Sequence, residues 1–256
     1  MNRRTFVSTT SSLAALALYR TSASHRASGI KAVAFDGFAL FDATAIVPVA
    51  ESLAPGRGRE LVTAWRTKHF EYQWLRTLGG QYADFERTAD DSLAVVAKTL
   101  GLAMSRADRQ HLVEAQSALR PWADTAAAVR SLRDAGLRLC MLSNMTDAML
   151  TTGLRRAGLA SDVDLVLSTD RVRAAKPSAR AYDMATAALG LPRDQIAFVA
   201  FAAWDAAGAS WFGYPTAWLN KNDAPAEELG TSAQITARDL GSIARWLVDQ
   251  SRQANE

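Results

Sequence analysis

Apolar positions along this chain follow two rhythms. Ile30-Lys31-Ala32-Val33-Ala34-Phe35 is a short, nearly continuous apolar run that stops at Asp36, the pattern of a strand buried on both faces. From about Ala45 to Ala118 the rhythm turns helical. Leu61, Trp65, Tyr72 and Leu75 fall at i, i+4, i+11 and i+14 and predict one buried stripe, with Arg66 and Phe70 on a neighbouring face. Helical stretches at Phe85 to Leu100 and Arg106 to Leu119 complete a block without a clear strand. After Pro121 the two rhythms alternate. Helices are predicted at Thr125 to Ala135, Asp147 to Ala157, Ala179 to Leu189 and Asp205 to Phe212, the third stopped by Gly190. Between them lie strands at Leu137 to Leu142, Val163 to Ser168 and Ile196 to Phe201, and Thr216 to Leu219 reads as the last strand.

Strands alternating with helices imply an α/β fold, a doubly wound parallel-sheet core, here with a helical cap inserted after its first strand. The expected division is 29–44 with 120–256 as core and 45–119 as cap. In such sheets ligands bind beyond the carboxyl ends of the strands, and Asp36, Ser143 and Asp205 all lie at or just past such ends.

Composition sharpens this picture at the N-terminus. Arg3-Arg4-Thr5-Phe6-Val7, the weakly apolar run Leu13 to Leu18 and small residues at Thr21 to Ser24 resemble a twin-arginine export signal over residues 1–28. That resemblance implies passage through the twin-arginine translocase and a periplasmic location. Removing Arg3, Arg4, Arg20 and Arg26 with the segment lowers the formal charge from +3 by four, to −1. No basic face then remains to suggest a nucleic acid or stable membrane partner. The single cysteine, Cys140, excludes an internal disulfide framework and any cysteine-rich zinc site. No coordination is suggested for the histidines either: His25 belongs to the signal segment, and His69 and His111 fall on predicted helix surfaces.

Taken alone, an Asp after a strand is usually a turn or helix cap. Here it has company: Phe35-Asp36-Gly37-Phe38, then Leu142-Ser143-Asn144, Lys176-Pro177 and Trp204-Asp205-Ala206-Ala207-Gly208, in that order. Together these motifs resemble the haloacid dehalogenase superfamily. More narrowly, Gly56 to Glu60, Trp65-Arg66-Thr67-Lys68, Glu71 to Arg76 and Tyr82-Ala83-Asp84-Phe85 resemble the cap of the L-2-haloacid dehalogenases.

The resemblance implies a haloacid dehalogenase-like, Rossmann-type core and hydrolysis of short (S)-2-haloacids to (R)-2-hydroxy acids. Asp36 would be the nucleophile forming an aspartyl ester, and Arg66 on the cap would receive the halide. Lys176 would hold a cation beside Asp36, and with Asp205 would orient the hydrolytic water. Ser143 would bind the substrate carboxylate, with Asn144 and Trp204 assisting at the halide. Phe38, Phe70, Phe85 and Trp204 would wall the alkyl group, and Tyr182 also fits the family pattern. Neither cofactor nor metal is implied, and the partners are the 2-halocarboxylate, its halide and, as in relatives of this kind, a second subunit in a homodimer.

Phe38 stands where phosphatases of the superfamily carry a second Asp, so phosphate ester hydrolysis lacks its usual acid. The chain also departs from the dehalogenase pattern. The loop Asp36 to Asp42 is one residue shorter and lacks a threonine, and Ala200 and Ala202 replace a serine and an asparagine. Two alternatives stay open: a magnesium-dependent phosphatase of the same superfamily that recruits its acid from elsewhere and, because of Ala200 and Ala202, a non-catalytic exported protein that binds small carboxylates.

Overall fold

The structure is a computed structural model that describes residues 29–252, so the signal-like segment 1–28 lies outside the described residues. Six parallel strands form one sheet: β1 (Ala32–Phe35), β2 (Arg138–Ser143), β3 (Leu165–Ser168), β4 (Ile196–Ala200), β5 (Thr216–Leu219) and β6 (Ile235–Ala237), in the spatial order β3-β2-β1-β4-β5-β6. The order reverses around β1, whose Phe35 pairs with Met141 on one side and Val199 on the other. That reversal places the end of β1 at the crevice where such sheets bind ligands.

Alternation along the strands supplies both faces of the core. Val33, Phe35, Leu139, Met141, Ala197 and Val199 enter one apolar cluster, whereas Ala32, Ala34, Cys140, Leu142, Ile196 and Phe198 enter another. The first is covered by α6 (Thr125–Asp134), α7 (Asp147–Arg156) and α10 (Leu240–Arg252), the second by α8 (Ala179–Leu189) and α9 (Ala203–Phe212). Between β1 and α6 the chain forms the short α1 (Gly37–Leu40), then α2 (Val47–Leu53), α3 (Gly58–Leu78), α4 (Phe85–Thr99) and α5 (Arg106–Ala115). Helices α2 to α5 pack on one another, and the outgoing and returning chains meet where Phe41 bridges Pro121 and Asp42 pairs with Arg120.

Three expectations need correction. The buried stripe of α3 is Leu61, Val62, Trp65, His69 and Gln73; Tyr72 is only half-buried and Leu75 is 57% exposed. A count of apolar side chains steers away from His69 and Gln73, yet both are buried because they hydrogen-bond to each other inside the packed face. His69 is therefore not a surface residue. Finally, Thr216–Leu219 is not the last strand. Strand β6 spans three half-buried or exposed residues, too few for a periodic signal, although Leu240, Ile243, Ala244 and Leu247 of α10 do show helical spacing.

Candidate active site

Asp36 follows β1, and its backbone N–H is fixed by donating to the Val199 carbonyl at 3.0 Å. Its Oδ2 accepts the Phe38 N–H at 3.1 Å, so Asp36 caps the short α1 while remaining part of the crevice. Gly37 leaves room beside it: a Cβ there would lie 2.8 Å from Ser143 Oγ and 2.9 Å from Met145 Sδ and would displace those side chains.

Lys176 joins the two carboxylates. Its Nζ donates to Asp36 Oδ1 at 2.8 Å and to Asp205 Oδ2 at 2.6 Å, with the lysine only 1% exposed. Burial alone would lower the ammonium, but Asp205 and Asp36 outweigh it and raise Lys176 above the ordinary lysine value. Asp205, in the first turn of α9, is pushed up to about 6 by burial, against the pull of Lys176. The direct lysine bridge explains how the site tolerates Ala200 and Ala202. Both charged partners of Lys176 are satisfied without a serine or asparagine, and Ala200 packs in the apolar cluster below the sheet end.

Tyr182 stands behind this bridge. Fully buried, it donates its hydroxyl to Asp205 Oδ1 at 2.6 Å and lines neither cavity of the crevice. The expected substrate contact is thus corrected to a support for Asp205, because the ring is packed among Phe198, Phe212 and Tyr214.

Arg66 enters from α3. Its guanidinium carbon lies 5.9, 5.9 and 5.3 Å from the ring centroids of Phe38, Phe70 and Phe201, a cation–π cage. Burial lowers it from the ordinary arginine value and the nearby Asp36 charge raises it. Among the described residues no carboxylate pairs with it directly. A desolvated guanidinium without a carboxylate is an anion site awaiting its anion.

A cavity of about 750 Å³ between cap and core holds Arg66 in its wall, together with Phe38, Phe70, Phe85 and Trp204. The same four aromatics border a constricted pocket of about 10 Å³ whose polar walls are Asp36, Ser143, Asn144, Lys176 and Asp205. Ser143 Oγ accepts the Met145 N–H at 3.3 Å. Asn144 Oδ1 accepts from the Lys176 backbone, and its Nδ2 donates to Gln73. Gln73, His69 and Phe201 are the site residues that sequence reasoning missed. Phe201 carried a signal, since it directly follows a strand end; the two polar residues of α3 carried none by periodicity.

Magnesium needs several convergent oxygens. Here Asp36 and Asp205 converge on an ammonium instead, position 38 is aromatic, and no three His, Cys, Asp or Glu side chains cluster among the described residues. The donor set does not fit that ion.

A family model described as haloacid dehalogenase-like hydrolase matches residues 14–213. The chain is 40% identical over 215 residues to an (S)-2-haloacid dehalogenase of Pseudomonas sp. (strain YL), covering 84% of this chain and 93% of the relative. It is 33% identical to haloacetate dehalogenase H-2 of Moraxella sp. (strain B), covering 85% and 98%. Among solved structures, the L-2-haloacid dehalogenase of Xanthobacter autotrophicus with chloropropionic acid covalently bound superimposes with a TM-score of 0.79 at 30% identity, covering 85% of this chain and 98% of that one.

Proposed function

The chain belongs to the haloacid dehalogenase-like hydrolases and, within them, to the (S)-2-haloacid dehalogenases, and from that premise we propose that it hydrolyses short 2-haloacids through an ester on Asp36. The observation that carries the reading is the half-buried guanidinium of Arg66, paired with no carboxylate among the described residues and facing across the aromatic cavity towards Asp36.

In the first step a carboxylate oxygen of Asp36 bonds to C2 of the substrate as the carbon–halogen bond breaks, and the halide leaves with the electron pair. Backside attack inverts C2, converting an (S)-2-haloacid to an (R)-2-hydroxy acid. Arg66 meets the charge growing on the departing halogen, and its aromatic surroundings keep water from competing. Ser143 and its neighbouring backbone N–H groups hold the substrate carboxylate.

In the second step water attacks the ester carbon of Asp36 and gives its proton to Asp205. Collapse of the tetrahedral intermediate breaks the bond to the alcohol oxygen, which takes the proton held by Asp205, and the second water proton leaves to solvent as the Asp36 carboxylate is restored. Lys176 supports both steps, since its Nζ touches both carboxylates and offsets the charge on the ester oxygen. Tyr182 keeps Asp205 turned towards it.

Residues 1–28 support export through the twin-arginine translocase to the periplasm, and the homodimer is likewise proposed from resemblance. Purified protein with chelator present is expected to release chloride from L-2-chloropropionate, and Asp36→Asn to reduce that release by about a thousandfold or more. Intact mass after incubation separates the other readings. Magnesium-dependent phosphate release from an aryl phosphate, or reversible binding with neither Asp36 adduct nor halide, defeats the proposal.

A further inference from the structure

One buried polar chain takes no part in the steps above, and its polarity can be read because it starts at a group that can only donate. The Lys176 backbone N–H reaches Asn144 Oδ1 at 2.9 Å, and the Thr169 hydroxyl reaches the same oxygen at 3.3 Å. The amide oxygen of Asn144 therefore faces the lysine loop, and its nitrogen faces the cap. Nδ2 donates to Gln73 Oε1 at 2.6 Å, which turns the Gln73 nitrogen towards His69 Nε2 at 2.9 Å. An amide nitrogen donates and does not accept, so His69 Nε2 must be the acceptor and its proton must sit on Nδ1. The Thr88 hydroxyl, 3.0 Å from the same Nε2, has carbonyls of Asp84 and Phe85 at 2.8 and 3.0 Å for its single hydrogen. Burial pushes His69 down to about 3, consistent with a neutral acceptor.

Asn144 has two amide hydrogens, and Gln73 uses one. The residue also lines the constricted pocket with Asp36, Phe70 and Trp204. We propose that Gln73, oriented by His69, is a positioning residue that holds the Asn144 amide with its second N–H turned into the pocket, where it assists departure of the halide. The proposal rests on the dehalogenase reading. It makes the cap contribute twice to the leaving group: Arg66 supplies charge, and Gln73 supplies direction from two turns further along α3. A protonated His69 would set an N–H against the Gln73 amide, so the neutral ring is part of the device.

The test uses wild type and Gln73→Met, which keeps the volume and removes the acceptor. Ring-nitrogen NMR of wild-type His69 is expected to show an unprotonated Nε2. Alkylation of Asp36, followed by intact mass, should slow roughly tenfold in Gln73→Met with 2-chloropropionate, with KM little changed. With 2-bromopropionate in place of 2-chloropropionate the loss should be smaller, because bromide is a weaker hydrogen-bond acceptor and leaves more readily. Gln73→Glu, which still accepts from Asn144 but needs a donor at its other oxygen, should raise the protonated fraction of His69. A wild-type His69 protonated at Nε2, or a Gln73→Met variant that loses nothing or loses equally with both halogens, overturns the proposal. A wild type that neither forms an Asp36 adduct nor releases halide overturns the dehalogenase reading and the proposal with it, whereas failure of the relay alone leaves that chemistry intact.

Discussion

Lys176 is the residue on which the site's electrostatics turn. A fully buried ammonium is costly unless paired, and here two carboxylates pair it within 2.8 Å. The arrangement raises Asp205 to about 6 through burial, with Lys176 and the Tyr182 hydroxyl pulling it down. Protonated Asp205 cannot take a proton from water, so ester hydrolysis should fall on the acid side with an apparent pKa near 6. Tyr182→Phe removes an interaction that favours the carboxylate, and its acid limb should therefore move to higher pH. A kcat profile flat between about pH 8 and pH 5 would contradict this. Asp36, Lys176 and Asp205 were legible in the sequence because each follows a strand end or stands in a recognisable motif. The role of Tyr182 was not, since a hydroxyl directed at a neighbouring helix leaves no mark on local spacing.

At the level of elements, α9 approaches the lysine loop closely enough that only glycine fits at position 208. A Cβ there would lie 2.6 Å from Tyr182 Oη and 2.7 Å from Pro177 Cβ. Gly208→Ala is expected to cost about 1–3 kcal/mol by overpacking. By pushing Tyr182 from Asp205 it should also slow the second step more than the first. Thermal unfolding would read the destabilisation, and intact mass would show ester accumulating on Asp36; an unchanged melting temperature with no accumulation would refute the account. Helix α3 teaches the complementary lesson. Its apolar positions correctly announced a long cap helix, but its buried face includes His69 and Gln73, whose polarity is satisfied by each other and by partners on α4 and after β2. Periodicity weighs each side chain by its own transfer preference and has no access to such partners.

For the molecule as a whole, the sheet and the helical block form a crevice at the reversal of strand order, with Arg66 on one wall and Asp36 on the other. Tyr82 of the cap hydrogen-bonds to Asp170 of the core, and Thr77 Oγ1 accepts the Ala175 N–H at 3.0 Å, so the loop leading to Lys176 is tied to the cap as well. The proposed export signal adds a prediction at this scale. Replacing Arg3 and Arg4 by Lys should leave the protein in the cytoplasmic fraction, and undiminished periplasmic recovery would remove the twin-arginine assignment. By itself the sequence determined the alternation of strands and helices, the all-helical stretch after β1, the strand-end positions of the acidic residues and the absence of a phosphatase acid at Phe38. These depend on local periodicity and residue chemistry, which a linear chain displays. Only the tertiary structure decided that Lys176 bridges both carboxylates in place of lost polar neighbours, that Arg66 is caged by aromatic rings with no ion pair among the described residues, and that Gln73 reaches Asn144 across 71 positions of chain. Those outcomes depend on which surfaces are buried together, and burial sets both the strength of a charge and the cost of leaving a donor unpaired.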